Sequence, residues 1–564
     1  MRLEKKTLLG ISALSLTFTA MQIIGYQLSM FYGTSVHRSA LFQNIGVLTL
    51  PQCLLLGVVE FLLWFVILTF LFRFLDKLSD KMTDTLPSAL THPVLWVGIT
   101  ALLFICWIPA LMACYPGCYN YDAIGQLPQA MYDTVPYSSH HPLLHTLIMG
   151  KIVKWTLDFT GADLSLGILV YCIFQMLVCS AVLAYSLYSM LKICKRKLVV
   201  GIAFLYYAFF PTIVLFAMST TKDVLFSLFF HLVMLCVYEM NLDMDAFFHS
   251  KGKILRFILL SVPASLLRNN GIYAILLFAV CAILLQKKYR LKILLLSACL
   301  FCIYTGCSKG LEIGLQAKKG GKIEMLSVPL QQLARAYRDH GPEIFEEEEL
   351  EFLYTIVSHD TLMSYNPFSS DNIKNHIDND TLFANIGDLF KLWVKAGIEH
   401  PMAYIRSFLE NTYQAWYPGT SIYDRPGAEE TFYFSIDMSG NVVRETKNLD
   451  LVLFYDKISS DYYYQKIPGV RLLFSIGAML WVALFSFVYG ICNKRYEIIM
   501  PMLLVLAYCF TNFLGPISLV RYYLILFYGF PVFISFVLSR DKNKNKGIVN
   551  KEDEDMESVL SKTA

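Results

Sequence analysis

Charge is what this sequence has least of. Only 16% of its 564 residues are Asp, Glu, Lys or Arg, while 56% are hydrophobic and the mean hydropathy is +0.51. Soluble domains carry about a quarter charged residues, so the scarcity excludes a soluble globular protein and leaves an integral membrane protein. No basic face of the kind used on nucleic acid is present, which removes that partner. The net charge of +3 means little beside the placement of the cations. Cysteine forms no framework: most of the 14, such as Cys53, Cys106, Cys172 and Cys179, lie inside apolar runs as small core residues. Cys114 and Cys118, around Tyr115-Pro116-Gly117, are open to two readings, a local disulfide or free thiols. There is no internal repeat, and no low-complexity tract outside the charged tail. The first apolar run follows Arg2, Lys5 and Lys6 without a small-residue cleavage site, and reads as an uncleaved first helix.

What is present is a series of about twelve apolar stretches near membrane-spanning length, at 8–30, 47–72, 93–113, 164–191, 198–218, 224–240, 254–267, 272–286, 292–306, 470–492, 497–514 and 520–539. Every second connection is basic: Arg73/Lys77/Lys81, Lys192 to Lys197, Lys251/Lys253, Lys287/Lys288/Arg290, Lys494/Arg495 and the Arg540–Lys546 tail. The positive-inside rule makes that side cytoplasmic, with both termini on it. The expected organisation is a membrane domain over 1–306, an outer domain over 307–469, closing membrane helices over 470–539 and a disordered cytoplasmic tail over 540–564. The first domain carries a polar outer loop at 114–163. The outer domain, with its acidic run Glu343–Glu351, is long enough to be a small, mainly helical unit of its own. A surface helix is expected to begin near His141-Pro142, with Lys151 and Lys154 at the headgroups. The short stretch before Arg268, interrupted by Pro263, suggests a re-entrant helix lining a cavity.

The polar loop concentrates chemistry that the rest of the chain lacks. It holds Asp122 in Asn120-Tyr121-Asp122, Gln126, and the pair His140-His141. Three isolated cations map to the same side: Lys222 in Thr221-Lys222-Asp223, Arg268 in Leu267-Arg268-Asn269-Asn270-Gly271, and Arg521 ahead of Tyr522. Taken singly, each has a plain structural alternative. A lone Arg at a helix end snorkels to lipid phosphate, Asp122 fits a solvated turn, and paired histidines fit a helix start without further metal-ligand spacing. Trp416-Tyr417-Pro418 fits an interfacial belt and Glu343–Glu351 a solvated face. Taken together, one outward carboxylate and three outward cations suit a substrate carrying phosphate at the membrane surface. Transfer of a sugar from a polyprenyl phosphate needs cations for the leaving anion and one carboxylate for the acceptor proton, whereas glycoside hydrolysis needs two carboxyl groups at the scissile bond.

On these residues, with Pro329-Leu330-Gln331-Gln332, Trp416-Tyr417-Pro418 and Arg521-Tyr522, the chain resembles the GT-C class of membrane glycosyltransferases. More narrowly it is similar to a group of bacterial multi-pass membrane proteins, without an assigned activity, within or near that class. The resemblance implies an all-α polytopic, GT-C-like fold, with Asp122 as catalytic base and Lys222, Arg268 and Arg521 at the donor phosphate. It implies Tyr121, Gln126, His140, His141, Asn269, Asn270, Gln331, Gln332, Trp416 and Tyr522 as substrate contacts. The partners implied are a polyprenyl-phosphate sugar donor, a glycan or wall-polymer acceptor and membrane lipid, in a bacterial cell membrane. No cofactor is required, and a divalent metal stays open: Ala123 follows Asp122 where protein mannosyltransferases carry an Asp-Glu pair. Asp133 is a second acid of the loop. The rival readings are a lipid-linked glycan flippase or transporter, a polysaccharide polymerase, and a non-catalytic envelope assembly protein.

Overall fold

The computed structural model describes residues 4–32, 48–79, 92–161, 163–420, 448–459, 467 and 469–539. The expectations for Lys81 and the 540–564 tail fall outside these residues. Among the described residues every regular element is helical. The chain opens with α1 (Lys5–Tyr32), α2 (Leu50–Ser79) and α3 (Val94–Cys114), then places α4 (Tyr121–Met131) and α5 (Leu143–Thr160) in the polar loop. It continues through α6 (Leu164–Cys194), α7 (Lys197–Phe209), α8 (Pro211–Ala217), α9 (Lys222–Leu242), α10 (Met244–His249), α11 (Lys251–Leu267), α12 (Gly271–Leu285) and α13 (Arg290–Gly314).

A second body of helices follows, with its own apolar core from Ile323 to Tyr404. Its principal members are α14 (Ser327–His340), α15 (Glu347–Ile356), α16 (Ile386–Glu399) and α17 (Pro401–Trp416). The chain closes with α18 (Ile476–Cys492), α19 (Tyr496–Phe513), a short 3-10 turn at Val520–Tyr523 and α20 (Leu524–Val537).

Each apolar stretch expected to span is helical, but among the described residues eight helices are long and apolar enough to cross a membrane, or nine if one bent pair counts as one span. That is the build of a multi-pass membrane protein. The bent pair is α7 and α8, which meet at 54°. Pro211 has no N–H to give and keeps Phe210 extended (φ −71°, ψ 121°), so the helix stops and restarts. The break thus falls at Pro211 and not at Pro263, which α11 accommodates without interruption. The stretches at 254–267, 272–286 and 470–492 appear as helices of 17, 15 and 17 residues, short of the roughly 20 that a hydrocarbon core needs.

Position in the bundle follows from what each helix buries. α9 and the 520–537 segment are almost entirely buried and form the centre, with α9 packed on α6, α11, α19 and α20. α2 buries almost none of its residues, and its Leu54, Val58, Val66 and Phe70 are exposed. In water such a surface would drive association; facing lipid it is the ordinary outer wall of a bundle.

Candidate functional site

Two loops set the site. Cys118-Tyr119-Asn120 runs parallel to Met218-Ser219-Thr220: the Cys118 amide donates to Met218 at 3.0 Å, the Thr220 amide returns to Cys118 at 3.0 Å, and the Asn120 amide reaches Thr220 Oγ1 at 2.8 Å. Each loop then turns into a helix under its own cap. Asn120 Oδ1 accepts from the Asp122 amide at 3.2 Å, and Thr221 Oγ1 accepts from the Asp223 amide at 3.4 Å. Matched loops and matched caps bring the first turns of α4 and α9 side by side, and Asp122 and Lys222 meet there as an ion pair.

Arg521 arrives from the 3-10 turn before α20. Its Nη1 donates to Asp122 Oδ2 at 2.7 Å and lies 3.6 Å from Asp223 Oδ2. Asp223 in turn pairs with Arg268, which extends from the end of α11. Arg268 is fixed further by Asn270 Oδ1 at 2.8 Å and Asn512 Oδ1 at 3.3 Å. The Tyr522 ring lies under both guanidinium groups, 4.3 Å from Arg268 and 4.9 Å from Arg521. Charges therefore alternate along one chain of contacts: Lys222, Asp122, Arg521, Asp223, Arg268. Asp223 and Arg521 are fully enclosed, whereas the two end cations, Lys222 and Arg268, keep 14% and 11% side-chain exposure. Three cations against two carboxylates leave one positive charge in excess, and its exposed ends can take an anion.

The field of this cluster reaches the loop histidines. Burial pushes the Asp122 carboxyl up, but Lys222 and Arg521 beside it prevail and hold it well below the usual carboxylate range. Burial and the Lys222 charge push His141 down to about 4 and His145 to about 3, so both imidazoles are neutral at pH 7. His145 is a scaffold residue: its two ring nitrogens meet Gln126 Oε1 at 3.1 Å and Tyr171 Oη at 2.8 Å. Tyr171 bonds Gln175 at 3.0 Å, and the Gln175 amide donates to the carbonyls of Phe216, Ala217 and Ser219 at the end of α8. This buried relay ties α4 and α5 to the loop that carries Lys222.

Of the residues named from the sequence, Asp122, Lys222, Arg268, Arg521, Tyr522 and Asn270 come together, and His141 faces them electrostatically. Gln126 is committed to Thr146 (3.0 Å) and His145 inside the scaffold. His140 packs edge-to-face on His141 at 4.7 Å. Asn269 is exposed beside Arg268, and the Tyr121 side chain lies outside the described residues. Gln331 and Gln332 belong to the second body, bonded to Asn366, Tyr404 and Trp393. Trp416 is buried against α18, where its carbonyl accepts from Trp481 Nε1 at 2.9 Å. Asp223, Asn120 and Asn512 are cluster members that sequence reasoning left out. None carried a signal that set it apart: Asp223, the acid next to Lys222, equally fits the first turn of a helix. No disulfide joins Cys114 and Cys118. Among the described residues no three His, Cys, Asp or Glu side chains gather around a common metal position.

No curated protein and no solved structure matches this chain. A family profile does, over residues 131–551, a range that includes Lys222, Arg268 and Arg521 and begins after Asp122. On that match, across more than half of its length, the chain belongs to DUF6020, a family of unknown function.

Proposed function

We propose that this protein is a GT-C-type glycosyltransferase of a bacterial cell membrane. It moves a sugar from a polyprenyl-phosphate donor to a cell-envelope glycan or wall polymer on the outer face, with both termini cytoplasmic. The observation that carries the reading is the meeting of Asp122, Lys222, Arg268 and Arg521 in one cluster, although some 400 residues of sequence separate the first from the last. In this mechanism the donor phosphate engages Lys222 and Arg268 first, where exposure remains, and draws Arg521 toward itself. Asp122 thereby loses its counter-ions and regains the basicity of an ordinary carboxylate. The acceptor hydroxyl then gives its proton to Asp122 as its oxygen bonds to the anomeric carbon. The bond from that carbon to the phosphate oxygen breaks, and its electron pair leaves on the phosphate. The reading needs no cofactor.

A lipid-linked glycan flippase is the second reading. It draws support from the same internal pairing, because a carrier also exchanges its own counter-ions for a lipid phosphate. The deciding experiment is the surface-glycan composition of a deletion strain complemented with wild type or with Asp122→Asn. A sugar substituent restored only by the wild type supports transfer. Unchanged glycans with lipid-linked intermediates accumulating inside would replace transfer with transport.

A further inference from the structure

Away from the charge cluster, α1, α2, α18 and α20 enclose a cavity of about 810 Å³. Its walls are apolar, with Leu68, Trp481 and Phe530 among them, and its polar lining side chains are Gln22, Glu60 and Ser486. Ser486 is already satisfied by the Val482 carbonyl at 2.8 Å. Glu60 is not: its Oε2 is shielded from solvent and has no hydrogen-bond partner among the described residues. It stands ten residues into α2, roughly 15 Å along the helix at 1.5 Å per residue, and so well inside the apolar span Leu50–Leu78. A carboxyl group held at that depth is costly unless something meets it. Leu63 and Ile67, also in the cavity wall, are exposed on α2, whose apolar side chains form the wall of the bundle, so the cavity is open along that helix.

We infer that this cavity is a binding site for a long-chain lipid bearing a hydroxyl group, which enters from the bilayer and sets that hydroxyl against Glu60. The size is that of pockets holding molecules of a few tens of atoms, about 300–1,000 Å³. A hydroxyl both donates and accepts, so it satisfies Glu60 whether the carboxyl is ionised or protonated. An ammonium has no lone pair to accept the proton of the un-ionised carboxyl, and an ionised fatty-acid head has no hydrogen to give to the carboxylate. This site is independent of the glycosyltransferase reading.

The test uses the full-length protein in phosphatidylethanolamine/phosphatidylglycerol vesicles, photolabelled with a diazirine-bearing C18 alcohol or with the matching alkane, amine and fatty acid. The alcohol should label peptides containing residues 60–75 and 478–486 at least fivefold more than the alkane. Glu60→Leu should abolish that excess, and Glu60→Gln, which still donates and accepts, should keep most of it. Ala478→Phe, which fills the cavity from the opposite wall, should abolish it without touching Glu60, and decides the matter if Glu60→Leu does not fold. Equal labelling by alcohol and alkane, or preference for the amine or acid, would overturn the site. So would displacement of the alcohol by polyprenyl phosphate together with loss of labelling in Arg521→Ala, because the cavity would then hold the donor's own chain.

Discussion

At the scale of single residues, Asp122 sits between opposing demands. A base must be able to take a proton, yet Lys222 and Arg521 stabilise its charged form. Replacing it with Asn removes the base and also releases both cations for the phosphate. Transfer should therefore fall by roughly 10²–10⁴-fold while polyprenyl-phosphate binding survives and tightens. Binding lost in parallel with turnover would make Asp122 a structural counter-ion only. His141 gives a second prediction. Its folded pKa, about 4, lies below the unfolded value of roughly 6.5, so between those pH values the unfolded chain binds more protons. Stability then rises with pH across that window and is lost on acidification, by on the order of 3 kcal/mol for this group. Melting temperature in detergent should drop from pH 7 to pH 4.5, and His141→Gln should flatten part of the drop; equal slopes would remove His141 from the buried field. Asp122 and the three cations were legible from their positions in polar breaks between apolar runs. Asp223 was not, because an acid in the first turn of a helix already has a local reason to be there. Its ion-pair partner Arg268 is 45 residues away.

Helices and loops divide differently. Hydropathy marked every membrane-length apolar helix among the described residues, because burial in lipid leaves a composition signal that needs no knowledge of neighbours. It did not mark which helix breaks: Pro211 and Pro263 look alike in sequence, and only Pro211 falls where α7 ends. Loop pairing left no signal at all. The polar loop is strapped to the segment leading into the second body. The Ser139 amide donates to Lys318 at 2.9 Å, the Lys318 amide to Tyr137 at 2.8 Å, and the Gly320 amide to Ser139 Oγ at 2.9 Å. Gly320 is required by this approach, since a Cβ there would lie 2.6 Å from His140 Cα and 2.7 Å from its amide nitrogen. Gly320→Ala should therefore push the 137–141 segment away, expose it to limited proteolysis and cut turnover at least tenfold. At Gly321 the nearest atom to a Cβ is Ile323 Cγ2, 3.7 Å away, so Gly321→Ala should behave as wild type. Equal protease resistance in both variants would show that the strap does not hold the loop.

For the whole molecule, the charge cluster bears on sidedness as well as chemistry. The ends of α3, α9, α11, α12 and the 520–537 segment that meet in it must share one side of the membrane. The basic connections Lys192–Lys197, Lys251/Lys253 and Lys287–Arg290 lie at the far ends of neighbouring helices, as alternation requires. The weak point is α12. Asn270 at its start is bonded to Asn512 in the cluster, yet 15 residues give only about 22 Å of helix against a hydrocarbon core of roughly 30 Å. If α12 still crosses, with the bilayer thinned or screened around it, Lys288 beyond its end is cytoplasmic and α13 returns the chain outward to the second body. Cysteines introduced one at a time at Lys288 and Asp380, each compared with a background whose exposed Cys299, Cys302 and Cys307 are changed to Ser, test this. An impermeant maleimide should label position 380 in intact cells and position 288 only after lysis. Labelling of both from one side would mean that α12 and α13 do not make two separate crossings. Labelling of 380 only after lysis would place the second body and the charge cluster in the cytoplasm, where a donor presented at the outer face cannot reach them.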